Sequence, residues 1–252
     1  MNKEVYEYWN SRSEGELPGS NDFNLKKIEV DTFIKELESL NFSTLLDVGC
    51  GAGETIEDIQ LKFPNVDYTG TDIAENMIVS ANKKDIENSK FEVDSLPLME
   101  NTSKKFDVVI SERALINLEN YNEQLESIRR IEDLLNPGGH YLMIENFNSG
   151  LSNINNVRND LGLDEIAPPW FNLYFDNNVF SDIESSSRLR VKREVSFAGP
   201  YYFLSRAIYA RLAEDENKTP VYDSKINLLS VKYNLPDIGD LCPTKLVIWE
   251  KI

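Results

Sequence analysis

The sequence predicts a doubly wound α/β domain, and three observations carry that prediction. The apolar run Leu45 to Val48 ends in glycines at Gly49, Gly51 and Gly53, and Ile56, Ile59 and Phe63 then recur at helical spacing. That order is strand, glycine turn, helix. A second strand-like run, Asn65 to Thr71, ends at Asp72 and leads into a further helix-like segment from Ile73. Phe106 to Ser111 and His140 to Glu145 then read as strands on either side of an amphipathic segment. Strands alternating with helices are what a parallel sheet with two covered faces requires.

The elements follow in order. Residues 1–43 read as a helical arm: Tyr6, Tyr8 and Trp9 lie close together, a Pro/Gly-containing loop spans Gly15 to Ser20, and Phe33, Ile34, Leu37 and Leu40 share one helix face. Residues 44–146 hold the alternating strands and helices. Within them Tyr121, Leu125, Ile128, Ile131 and Leu135 mark a helix packed on the sheet, stopped by the breaker Asn136-Pro-Gly-Gly. Residues 147–252 supply two closing strands and a lid. Gly150 to Asp176 is rich in Asn and Asp and reads as irregular, Asn177 to Ser187 as a short helix, and Arg188 to Ser196 as a strand. Helical patches follow at Phe203 to Ala213 and near Tyr222 to Val231, and Thr244 to Lys251 reads as a final buried strand. The insertion of about forty residues between the late strands is longer than a structural connection needs. An insertion and an arm at the carboxyl edge of the sheet roof a ligand pocket, because open α/β sheets bind ligands beyond the carboxyl ends of their strands.

A glycine turn brings bare backbone against a ligand, and the neighbouring residues decide which ligand. No G-x-x-x-x-G-K-[ST] phosphate loop occurs in the chain. The dinucleotide fingerprint fails as well: its third small position falls on Glu54 or Ile56, and a glutamate is electrostatically wrong where a pyrophosphate meets a helix N-terminus. An oxidoreductase using a nicotinamide cofactor is therefore the weaker reading. A sulfonium ligand with a free amino group is cationic, and Asp47 and Glu54 suit it. Asp72, at the end of a second strand, suits two ribose hydroxyls.

On Leu-Asp-Val-Gly-Cys-Gly-Ala-Gly at 46–53, Asp72-Ile-Ala-Glu-Asn-Met, Lys90-Phe-Glu-Val-Asp-Ser-Leu-Pro, Phe106-Asp-Val-Val-Ile-Ser and Asn136-Pro-Gly-Gly-His-Tyr-Leu-Met-Ile-Glu, the chain resembles the class I, Rossmann-like S-adenosylmethionine-dependent methyltransferases. The resemblance implies a seven-stranded sheet in the order 3-2-1-4-5-7-6 with the last strand antiparallel and a lid insertion between the last two strands. It implies S-adenosyl-L-methionine as cofactor, held by Asp47, Gly49, Cys50, Gly51 and Gly53 at the first turn and by Asp72, Ile73 and Met77 after the second strand. Asp94, Ser95 and Leu96 are implied beside the adenine, and Ser111 at the end of the fourth strand. Arg12, in an aromatic-plus-arginine segment, is implied to close on the methionine carboxylate. The tail ending in Thr244 to Lys251 looks loosely like bacterial methyltransferases of sugars and surface polysaccharides.

Composition bounds the partners. The 252-residue chain carries a net charge of −17, so its field repels nucleic acid. No apolar run is long enough to span a membrane, the N-terminus lacks a signal-peptide core, and two cysteines with one histidine make neither a disulfide framework nor a zinc set. A cytoplasmic protein with no metal is the expectation.

For chemistry, methyl transfer needs collinear reactants and exclusion of water, and a hydroxyl acceptor also needs a base. The only histidine, His140, opens the fifth strand at the edge away from the cofactor. Relatives carry a histidine near Asn117, and this chain does not. Glu112 and Glu145 are therefore the candidate catalytic bases. Arg113, Asn146, Trp170, Asn172 and Tyr174 are the candidate acceptor residues, with aromatics beside polar groups suiting a carbohydrate. The expected activity is O-methylation of a small-molecule or carbohydrate-type acceptor, such as a sugar, nucleotide sugar or polysaccharide precursor. The alternatives are N- or carboxyl-methylation of another metabolite, and a non-catalytic S-adenosylmethionine-binding protein.

Overall fold

Seven strands form one sheet: β1 (Thr44–Val48), β2 (Asp67–Asp72), β3 (Ser89–Val93), β4 (Phe106–Glu112), β5 (Leu135–Asn146), β6 (Leu189–Ser196) and β7 (Thr244–Lys251). The order is β3-β2-β1-β4-β5-β7-β6. The first five strands run parallel, β7 is antiparallel to both neighbours, and the expected sheet is thereby found. The computed structural model describes residues 3–12, 22–233, 235–236 and 238–252; the loop expected at 15–20 lies outside the described residues.

Alternation along each central strand divides the core. Leu45, Val108, Ile110, Leu142, Ile144, Leu246 and Ile248 face one side. There they meet Phe33 and Leu37 of α2 (Phe23–Leu37), Ile56 and Ile59 of α3 (Glu54–Gln60), and Ile78 and Ala81 of α4 (Glu75–Lys83). Leu46, Val109, Tyr141, Met143, Val247 and Trp249 face the other, against Ile128 and Ile131 of α5 (Tyr121–Leu134) and Val179 and Ile183 of α7 (Asn178–Ser186). A period of two on the strands and 3.6 on the helices fixes which side each residue joins. One reading shifts: Asn136-Pro-Gly-Gly does not precede β5 but bulges out of it. Phe106 pairs with Leu135 and Val108 with His140, while Gly138 takes φ +75° to make the excursion.

The lid comes in two pieces. Residues 197–243, between β6 and β7, contain α8 (Gly199–Phe203), a π-helical turn (Leu204–Ile208), α9 (Tyr209–Asp215) and α10 (Lys225–Tyr233). Residues 147–188 precede β6 and carry Trp170, Asn172 and Tyr174 together with α6 (Asn148–Asp160) and α7. The segment from Gly150 was expected to be irregular, yet α6 forms because Leu151 and Ile154 bury one face against Tyr201, Tyr202 and Leu25. Gly150 lets that helix cross the chain closely, since a Cβ there would stand 2.1 Å from the Cys242 carbonyl oxygen. The arm is α1 (Lys3–Ser11) followed by α2, whose N-cap Asp22 accepts from the Leu25 amide at 3.1 Å.

Candidate active site

The carboxyl ends of β1 to β4 open into one cleft of about 980 Å³, counting its mouth. The β1 turn forms its floor. Gly51, at φ +54°, points its missing side chain into open space, with nothing among the described residues nearer than Glu54 Oε2 at 4.0 Å. A cradle of that kind receives a ligand against bare backbone. Gly53 has a different reason to be glycine: a Cβ there would meet the Phe91 ring at 3.0 Å and Ala81 at 3.3 Å. It sets the packing of α3 and does not line the cleft.

Across the cleft, the sheet order ranks the polar groups. Asp94, after β3, accepts from Thr102 Oγ1 at 2.7 Å and lines one end beside Ser95, Leu96 and Met99. Asp72, after β2, accepts from the Gly51 amide at 3.0 Å and the Ala74 amide at 2.8 Å. Burial raises its pKa against those hydrogen bonds. Ile73, Met77, Gly49 and Cys50 line the adjoining wall. Asp47 is buried, its Oδ1 has no hydrogen-bond partner, and burial together with the nearby Glu112 charge pushes it up to about 8. A buried carboxylate oxygen without a donor is costly unless a ligand supplies one.

At the β4 end stands a wall of paired charges that sequence reasoning recognised only in part. Glu112 Oε2 accepts from Lys26 Nζ at 2.6 Å and from Thr55 Oγ1 at 2.8 Å. Arg113 Nη2 lies 3.3 Å from Glu29 Oε2 and 3.9 Å from Glu112 Oε1. Burial pushes Glu112 up, but Lys26 and Arg113 overcome it and hold the carboxyl at about 2. Burial pushes Glu29 well above the usual carboxylate range, Arg113 opposing the shift and the Glu112 charge adding to it. Lys26 and Glu29 sit three residues apart on α2, polar positions on the side of the helix near the cleft; that spacing was the available signal. Arg113 takes φ +53°, a strained conformation for a side-chain-bearing residue, while its amide donates to the Ile144 carbonyl at 2.8 Å.

Several expected site residues lie elsewhere. Glu145 is sealed beneath the turn Leu115–Asn117: its oxygens accept from Ser111 Oγ at 3.1 Å and from the amides of Ala114, Leu115 and Ile116 at 3.0, 3.0 and 3.3 Å. Burial still raises it to about 7, but the carboxyl is consumed as a turn cap and does not line the cleft. Ser111 is fully buried, bonded to Tyr141 Oη at 2.8 Å, and equally absent from the lining. Arg12 lies 5.3 Å from the Tyr8 ring centroid and donates to its hydroxyl, while neighbouring Trp9 enters the cleft in its stead. Asn146 accepts from Thr244 Oγ1 at 2.8 Å and binds Tyr174. Asn146, Trp170, Asn172 and Tyr174 are all outside the lining.

Trp170 acts at one remove. It packs edge-on to Phe171, whose ring lies 4.6 Å from Tyr8 and 5.7 Å from Trp9. Trp9 in turn rests on Ala52, Ala74 and Met77 and donates to Asn117 Oδ1 at 3.3 Å. The arm and the first lid piece thus make one aromatic roof.

Residues 46–141 match a family model described as a methyltransferase domain. The N-methyltransferase NodS from Bradyrhizobium japonicum WM9, solved with S-adenosyl-L-homocysteine, superposes over 98% of each chain with a TM-score of 0.60 at 14% identity. The magnesium protoporphyrin IX methyltransferase ChlM from Synechocystis PCC 6803, also with the homocysteine product, gives 0.60 over 98% of each chain at 16% identity. The secondary metabolism regulator laeA of Coprinopsis cinerea is 28% identical over 127 residues, half of this chain and 30% of that protein's length.

Proposed function

We infer, from a chain that carries a methyltransferase domain over residues 46–141 and has the Rossmann-like methyltransferase fold, that it transfers a methyl group to a small polar acceptor. The chain is an S-adenosylmethionine-dependent methyltransferase, and its cleft fits that cofactor. Gly51 offers the open backbone, Asp72 the ribose acceptor, and Asp47 an unpaired oxygen for the cationic amino group. S-adenosyl-L-methionine supplies the methyl group on a sulfonium and leaves as S-adenosyl-L-homocysteine. The roof of Trp9 and Phe171 excludes water, and the wall at Glu112 and Arg113 orients the acceptor.

The pinned Glu112 carries the choice of acceptor. A carboxyl held at about 2 by Lys26 and Arg113 is a poor base, and Glu145 is sealed in its turn. Methyl transfer by positioning alone suits an amine or an acceptor already anionic, which favours N- or carboxyl-methylation. O-methylation of a carbohydrate calls for a base at the acceptor, and Trp170, Asn172 and Tyr174 lie outside the cleft. NodS, which shares the fold, is an N-methyltransferase. The name of laeA supports a second reading, a cofactor-binding regulator without turnover. The net charge of −17 disfavours nucleic acid as a substrate. No described helix is long and apolar enough to cross a membrane, and two buried free cysteines accord with a reducing cytoplasm.

The test is calorimetry with S-adenosyl-L-homocysteine followed by product release across amine, carboxylate and sugar acceptors. Asp72→Ala should weaken product binding by ~1–3 kcal/mol for each lost hydroxyl interaction. Unchanged affinity removes Asp72 from the site. Tight binding with no turnover on any class selects the regulator.

A further inference from the structure

The wall at the β4 end is unusual in holding unmet hydrogen-bonding demand of both signs. Glu112 commits Oε2 to Lys26 and Thr55, while its buried Oε1 has no hydrogen-bond partner among the described residues. Arg113 commits Nη2 to Glu29, while its buried Nε has no acceptor. Both residues line the cleft. They stand at the carboxyl end of β4, whereas Asp94 and Asp72 stand at the carboxyl ends of β3 and β2, so the strand order puts this wall at the opposite end from the Asp94 side.

We propose that this wall selects a zwitterionic acceptor, an amino-acid-like amine whose nitrogen donates to Glu112 Oε1 and whose carboxylate is received by Arg113; it reacts as the fraction whose ammonium has given one proton to solvent, so that the freed lone pair takes the methyl group. The inference rests on the methyl-transfer reading and narrows it to a substrate class. A ligand of one sign satisfies one residue and strands the other, and a stranded buried polar group costs more than a missing hydrogen bond. The strained backbone of Arg113 fits a residue whose side chain is aimed by function rather than by local preference. The methionine end of the cofactor is also zwitterionic, but its ammonium has its own unpaired partner in Asp47 Oδ1.

The experiment measures binding of glycine, β-alanine and 4-aminobutyrate, against ethylamine and propionate as half-probes, by calorimetry or ligand-observed NMR. Measurements are made with and without saturating S-adenosyl-L-homocysteine. At least one zwitterion should bind about tenfold more tightly than either half-probe, the factor one buried charged contact supplies. Glu112→Gln and Arg113→Gln should each erase that preference and keep product affinity within about threefold. Arg113→Lys keeps a cation beside Glu29 and removes the Nε donor together with the guanidinium fork; it guards against a misfolded Gln variant and should lose part of the preference. Ethylamine or propionate binding as well as every zwitterion overturns the proposal. So does a tenfold loss of product affinity in Arg113→Gln or Arg113→Lys, which gives the wall to the cofactor. Failure of the wild type to bind the product strikes the methyl-transfer reading instead, while the zwitterion series without product still reports on the wall.

Discussion

Asp47 shows how one residue links motif, burial and ligand. It lies in the β1 apolar run, so the strand that buries its neighbours also buries its carboxyl, and among the described residues no donor reaches Oδ1. Its folded pKa of about 8 stands against ~3.9 in an unfolded chain. The folded protein therefore binds more protons between those limits. Ligand-free stability should fall as pH rises from ~4 to ~8 and level off above, opposite to the usual behaviour of a paired aspartate. A cationic amino group placed beside Asp47 reverses the preference and expels the proton. Calorimetry of S-adenosyl-L-homocysteine near pH 7, in buffers of differing ionisation enthalpy, should thus show proton release that Asp47→Asn abolishes. Buffer-independent heats in the wild type would put the amino group elsewhere.

At the scale of elements, the fold was legible where hydrophobic period and breaker agree. β1, α5 and β7 fall within a residue of their expected ends because apolar residues recur at two or 3.6 and a Gly, Asn or Pro stands at a boundary. α6 was hidden by its asparagines, whose poor helix propensity is overridden by the burial of Leu151 and Ile154. The site followed the same rule. Residues on the turn after β1 and after β2 were readable from the motif, whereas Lys26 reaches the cleft, and Glu29 reaches Arg113, from an arm helix that only tertiary packing places there. Glu145 was misplaced for a related reason. A residue at the end of a parallel strand sits at the correct edge, but the turn at Leu115–Asn117 needed its oxygens first. Glu145→Gln should accordingly lower thermal stability, because its amide nitrogen cannot accept from those amides. Turnover per folded molecule should stay near wild type. A ~10²-fold or greater fall in kcat with unchanged stability would restore it as a base.

The roof makes the complementary case. Trp9 touches the cofactor wall, whereas Trp170 touches only the roof's outer edge and is 65% exposed. Trp9→Ala should weaken product binding, since it opens the cleft beside Met77. Trp170→Ala should leave product affinity within a few-fold and raise the acceptor KM, as expected of a residue that shapes the entrance. Equal losses in both variants would make arm and lid a single cofactor clamp.

Across the whole molecule, α2 serves as a keel. Phe33 and Leu37 anchor it in the sheet core, Lys26 lines the cleft, Glu29 pairs with Arg113 behind the lining, and its N-cap Asp22 binds the second lid piece through Tyr201 at 2.6 Å and Arg206 at 2.6 Å. Arg206 is itself held among Tyr202 and Tyr222, whose ring centroids lie 4.8 and 4.5 Å from the guanidinium. A disturbance of the lid therefore enters the helix that carries the acceptor wall. Arg206→Met keeps much of the apolar stem and removes the charge, breaking the buried Asp22–Arg206 ion pair. Hydrogen exchange should quicken in α8 and α10 and at the first turn of α2, while the strands β1 to β4 stay protected. Product affinity should hold within a few-fold, because the floor at Gly51 and Asp72 rests on the sheet and not on α2, whereas affinity for the acceptor probes should fall. Faster exchange confined to the lid, with acceptor binding intact, would show that α2 does not transmit between them and that lid and wall work independently.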